Sequence, residues 1–181
     1  MKRGALPFLP YAVGLMIGFA ITLDRLPGII MARAMDRIES VGAEAGTVRH
    51  APRVTSDNQT IVRASPDILY SVCVYDLTDG PVRIAVPWPA DGSYASVSFY
   101  DANTNNFAVA SDRDVDTATT SIILASPRES DLPGEADRLV SAPTGTGLIL
   151  YRRVIDAQTD LDAVEIERQG FTCTGLGLTD P

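Results

Sequence analysis

The chain has 181 residues, 15 basic and 23 acidic side chains and a net charge of −8. Its hydrophobic content of 45% and charged content of 21% are those of a folded protein, and the length suits one domain with an appendage. The acidity excludes ordinary nucleic-acid binding, which needs clustered Lys and Arg against phosphate; two cysteines and one histidine exclude a multi-disulfide framework and the usual zinc set.

Residues 5–23 are 19 positions without a charge. As a helix they span about 28 Å, close to the hydrocarbon thickness of a bilayer. Lys2 and Arg3 in front of this run keep the amino end in the cytoplasm. Gly14 and Gly18 have the spacing that lets two membrane helices approach closely. Beyond Leu23 there are 13 bases against 23 acids, a net −10, which anionic lipid repels on average. The alternative is a cleaved signal peptide, because Ala32-Arg33-Ala34 and Ala43-Glu44-Ala45 fit the small-x-small rule. The long apolar run and the intervening Asp24, Arg25 and Arg33 favour an uncleaved anchor, and both readings send the remainder across the membrane.

The expected organisation is a transmembrane anchor at 1–28, an amphipathic helix or linker at 29–45 and an extracytoplasmic β domain at 46–181. Pro27-Gly28 separates the first two. In the second, Ile30, Ala34, Ile38 and Val41 line one side with Met31 and Met35 beside them, while Arg33, Asp36, Arg37 and Glu39 face away. This segment lies on the membrane or packs on the domain, and its mixed charges favour the domain.

The domain begins irregularly, with one edge strand around Val48 and with His50 read as solvent-exposed. Asn58-Gln59-Thr60 matches a glycosylation acceptor, relevant only in a eukaryotic secretory route. A short strand at 61–64 precedes Ser65-Pro66-Asp67. Residues 68–75 follow, apolar on both faces and therefore central or doubly covered. Asp79-Gly80 signals a hairpin into a strand carrying Val82, Ile84 and Val86, and Asp91-Gly92 a second turn into 94–100, which alternates cleanly. Residues 65–112 hold the only Trp and four of the six Tyr, so the core is anchored there. Later strands at 121–125, 138–141 and 147–155 give a mainly β fold, a β-sandwich or barrel-like domain. A helix at 160–169 follows, with Thr159 as its cap, Gly170 as its stop and a loose tail from Thr174.

These positions carry a resemblance. Val62-Arg63, Pro66-Asp67, Tyr70-Ser71, Asp76-Leu77, Gly80-Pro81, Tyr94, Asp101, Thr104 and Asn106-Phe107 stand at the spacings of a known pattern. Pro143-Thr144, Arg152 and Asp160-Leu161 continue it. The chain resembles the family called domain of unknown function 1254, of the short bacterial type with an amino-terminal membrane segment. The resemblance implies a mainly β domain whose usual companion domain is absent here and is expected as a separate protein. It carries no agreed activity.

Four constellations bear on chemistry. Asp67, Tyr70, Asp76 and Arg152, with Arg63, offer two carboxylates for acid–base work and an arginine for an anionic substrate; the structural reading is turn capping and charge neutralisation. Asp101, Asn103, Asn105 and Asp112 have the alternating oxygen side chains of a calcium loop, but Asn106 stands where such loops need Gly, and an Asx-rich hairpin loop is the favoured reading. The Gly-rich run 143–147 has no following Lys or helix and reads as a turn. Cys73 and Cys173 either pair, in an oxidising compartment, or stay free. No Ser with a nearby His is visible, so a serine-hydrolase triad lacks its base. The expectation is a single-pass inner-membrane protein with a periplasmic domain that binds a protein partner or serves envelope assembly. The alternatives are an envelope enzyme with an Asp/Tyr/Arg cleft and a calcium-dependent binding module; no other cofactor and no nucleic acid are expected.

Overall fold

The computed structural model describes residues 8–42, 46–58, 64–127 and 135–177. Lys2 and Arg3, the site at 43–45, most of the strand expected at 61–64 and Arg63 lie outside these residues. The chain begins with helix α1 (Phe8–Glu39) and edge strand β1 (Val48–His50). Strands β2 (Ile68–Asp76), β3 (Val82–Pro87), β4 (Ala95–Asp101), β5 (Asn106–Ser111), β6 (Thr119–Ala125), β7 (Arg138–Ser141) and β8 (Thr146–Val154) follow, then α2 (Leu161–Gln169) and β9 (Thr172–Gly175).

The strands form a mainly β fold of two sheets, ordered β1-β2-β8-β4-β5 and β7-β6-β3-β9, with only β6 and β7 parallel. Period-2 alternation explains the packing. Along β8, Gly147, Ile149, Tyr151 and Arg153 are buried while the residues between them are half-buried. The first set faces Val82, Ile84, Val86, Ile122 and Leu124 of the other sheet, closing one core around Tyr75, Phe99, Tyr151 and Phe171. Gly147 is required, because a Cβ there would lie 2.2 Å from the Tyr100 carbonyl oxygen and 2.5 Å from the Tyr75 hydroxyl.

Strand β2 is central as expected, paired to β1 and β8. Asp79-Gly80 does not close a hairpin: β2 and β3 belong to different sheets, and Gly80, at φ 118°, carries the chain between them. The Asp91-Gly92 turn crosses back in the same way. Two further corrections concern the carboxyl end. Asp160, not Thr159, caps α2, its side chain accepting from the Asp162 and Ala163 amides. The tail read as loose from Thr174 begins inside strand β9, which pairs with β3 and brings Cys173 to Cys73.

Helix α1 runs unbroken through Pro27-Gly28, where a separation was expected. Pro27 costs one helical hydrogen bond, but its neighbours on either side keep the helix going. The first part of α1 is unburied: its apolar 18-residue window is 0% buried, and the helix is long and apolar enough to cross a membrane. The second part packs against β2 and β8 on the outer face of the five-stranded sheet. Met31 is buried, and Pro27, Gly28, Met35 and Ile38 are half-buried, giving a stripe at helical spacing. Ile30 and Val41, placed on the packing side by sequence, are more than half exposed.

Candidate functional site

The proposed carboxylate pair is not assembled. Asp67 and Asp76 sit at opposite ends of β2, about 30 Å apart at strand rise, and both are exposed. Asp76 accepts from the Thr78 amide at 2.8 Å and the Thr78 hydroxyl at 2.5 Å, an ordinary Asx turn. Asp67 shapes the turn into β2, its amide bonding Ser65 Oγ at 3.3 Å. Only Tyr70 and Arg152 come together, as cross-strand neighbours on the outer face of the sheet. The Tyr70 hydroxyl accepts from the Ser65 amide at 3.1 Å, and Arg152 donates to Ser98 Oγ at 2.9 Å.

Likewise, Asp112 does not meet Asp101: they lie at opposite ends of the β4–β5 ribbon. Asp101 is 5% exposed, and its carboxylate gathers the Asn103 amide at 2.8 Å, the Asn105 amide at 2.8 Å and the Asn105 side-chain amide at 2.9 Å. Burial pushes its pKa up, but these bonds outweigh it and hold the group below its ordinary range. Asp112 instead accepts from the Ala95 amide at 3.0 Å and pairs with Arg113. Among the described residues no group of three or more His, Cys, Asp and Glu gathers as metal ligands do.

Three polar clusters escaped sequence reasoning. Arg153 has a fully buried side chain that pairs with Asp91 and Glu167, each at 2.9 Å, and also bonds Ser93. It ties β8 to α2 and to the turn before β4, and Ser93 with Arg153 draws Asp91 down to about 2. Strict alternation along β8 was the signal, since it puts Arg153 on the same face as Tyr151. Arg168 of α2 is also buried, donating to the carbonyls of Ala51 and Tyr70 and pairing with Glu165. Between these elements His50, expected in solvent, is half-buried with Nδ1 2.8 Å from Ser71 Oγ. Burial first, then the Arg168 charge, lowers its pKa and keeps it neutral at pH 7.

A serine beside a histidine is the geometry of an activated nucleophile. Here Ser71 is 0% exposed, on the inner face opposite Tyr151. No substrate reaches it, and the pair fastens the three-residue strand β1 to the sheet.

The outer face of the five-stranded sheet differs. Beyond α1 it presents Arg152 over two fully buried serines, Ser96 and Ser98, with Tyr94 and Val109 exposed nearby. Among the described residues, Arg152 Nε and Ser96 Oγ are the two buried side-chain polar atoms without a partner.

Residues 45–175 match the family described as "Protein of unknown function (DUF1254)". The chain belongs to this family. Its fold is similar to the crystal structure of the VPA0106 protein from Vibrio parahaemolyticus, with a TM-score of 0.60 and 16% identity over 76% of this chain and 32% of that one. An uncharacterised protein from Burkholderia cenocepacia also matches, with a TM-score of 0.49 and 18% identity over 72% of this chain and 34% of its own. The chain thus spans about a third of these solved relatives. No curated protein matches it.

Proposed function

We propose that this family member is a single-pass inner-membrane protein whose β domain stands in the periplasm and binds a protein partner. The observation that carries the protein-binding reading is the outer face of the five-stranded sheet. An arginine and a serine with buried, unpartnered polar atoms lie beside exposed Tyr94 and Val109. Interface cores are rich in Tyr and Arg, and the exposed part of Arg152 stands beside Tyr94 on this face. This chain covers 32% of the solved protein of similar fold, and a module of the kind that fills the rest of that protein is the occupant we infer.

The Cys73–Cys173 disulfide supports the location, because such bonds persist in oxidising compartments. So does the unburied apolar part of α1. A pull-down from solubilised membranes with wild-type bait and an Arg152→Glu bait tests the partner. One stoichiometric protein lost from the variant is expected; identical recovery by both baits sinks the assignment of this face. An alkaline phosphatase fusion at the carboxyl end tests orientation, and activity is expected.

A further inference from the structure

Where α1 leaves its charge-free stretch it passes the β4–β5 hairpin, and the two enclose a crevice of about 800 Å3. Asp24, Arg25, Gly28 and Ile29 line it from the helix, and Asn103 and Asn105 from the hairpin. Its depth in a bilayer follows from the sequence. Asp24 is the first charge after residue 5, so the crevice opens at the hydrocarbon edge. From there to Ala32 the helix rises about 12 Å, enough to cross the headgroup layer, which is roughly 5 to 8 Å thick. Leu23, the last residue before Asp24, is exposed at the hydrocarbon edge, and Ile29 adds one exposed apolar side chain to the lining.

The floor is built in advance. The Asp101 carboxylate holds the Asn103 and Asn105 amides and the Asn105 side-chain nitrogen, which fixes the rim and leaves the Asn105 side-chain oxygen to accept. The Asn103 side-chain oxygen lies against the helix, 3.3 Å from where a Cβ on Gly28 would stand. Arg25 and Asp24 sit 3.4 Å apart, one cation beside one anion. A phosphate fits the guanidinium; a primary ammonium fits the carboxylate and two amide oxygens. A headgroup of net negative charge has the first partner, but meets Asp24 and a domain already strongly acidic.

We propose that this crevice binds the headgroup of a zwitterionic aminophospholipid, one molecule per chain, with Arg25 on the phosphate and Asp24, Asn103 and Asn105 on the ammonium. The inference rests on the membrane-anchored reading. Native mass spectrometry of the full chain, released from vesicles of equimolar phosphatidylethanolamine, phosphatidylcholine and phosphatidylglycerol, tests it. One phosphatidylethanolamine retained per chain is expected, about tenfold over the other two. Asp24→Asn with Arg25→Gln, and separately Gly28→Leu, which crowds Asn103, are each expected to cut retention about tenfold, with the domain's melting midpoint unchanged. Equal retention of all three lipids, or retention unchanged in both variants, overturns the site. Soluble phosphoethanolamine retained by the chain as tightly as the lipid makes the ligand a free phosphate ester and overturns the lipid. A chain that does not float with vesicles defeats the anchored reading itself, whereas one that floats without selectivity defeats only this inference.

Discussion

The two faces of the five-stranded sheet are made of the same strands and are closed by different means. The inner face meets a second sheet, is crossed by a disulfide and holds a fully buried arginine with two acidic partners. Among the described residues the outer face is covered in part, by one stripe of α1, and elsewhere shows Tyr94, Val109 and Arg152 above two serines. Covalent and ionic closure on one side leaves the other free to be covered and uncovered without unfolding. Stability therefore belongs to the inner face, and the recognition proposed above to the outer, and perturbing each separately tests that division.

The largest effect is expected from the disulfide. Cys73 and Cys173 are 100 residues apart, and in the chain-entropy model a loop of that size contributes about 4 to 5 kcal/mol. Denaturant titration of the full chain with and without reductant, or of Cys73→Ala with Cys173→Ala, should show a loss of that order. A loss under about 1 kcal/mol would mean that the two sheets need no staple. Arg153→Ala comes next. It removes the cation from two acidic partners and opens a cavity, for about 3 kcal/mol. Glu167 and Asp91 keep some solvent contact, which sets the figure at the low end of the range for broken buried pairs.

On the outer face, Met31→Ala should cost about 2 kcal/mol of helix docking while leaving the core intact, because Met31 is the one buried residue of α1. Hydrogen exchange separates the two: amides at 31–39 should lose protection and those of β8 should not. Equal losses in both would make α1 part of the core and erase the contrast between faces.

The inner face was largely legible in the sequence because alternation is a local property. Ala95, Val97 and Phe99 of β4 read as inward from spacing alone, and all three are fully or almost fully buried. Sheet membership was not legible. Asp79-Gly80 has hairpin chemistry, yet which sheet receives the next strand depends on packing across the whole domain. β9 was hidden because four residues, Thr172–Gly175, between two glycines carry no periodic signal; their strand character comes from β3 beside them. For the candidate site, the Asp101 loop was read correctly in its Asx-turn form, since Asx bonds are made within a few residues. Asp67 and Asp76 were grouped because they are close in sequence, whereas an extended strand holds them apart. His50 and Ser71 were separated for the opposite reason: 21 residues of chain lie between two side chains that touch.

That last pair supplies the smallest effect and the finest test. His50 is the only histidine in the sequence, so among the side chains an ordinary titration near pH 6 belongs to it. Its pKa is lowered in the folded chain by burial and then by Arg168, with Glu165 opposing. Below its ordinary value of 6.5 the unfolded chain therefore takes up a proton that the folded one refuses, and stability falls as pH falls from that point. A second limb lies further down, where Asp91 is held at about 2 against an ordinary 3.8 and its contribution is lost as pH drops through that interval. His50→Gln should flatten the stability curve between about pH 5 and 7, by less than about 1 kcal/mol, and leave the lower limb in place. If the upper slope survives the substitution, the titrating group is not this imidazole. If the wild-type curve rises instead as pH falls, Glu165 outweighs Arg168, and the edge strand β1 is tightened rather than loosened by acid.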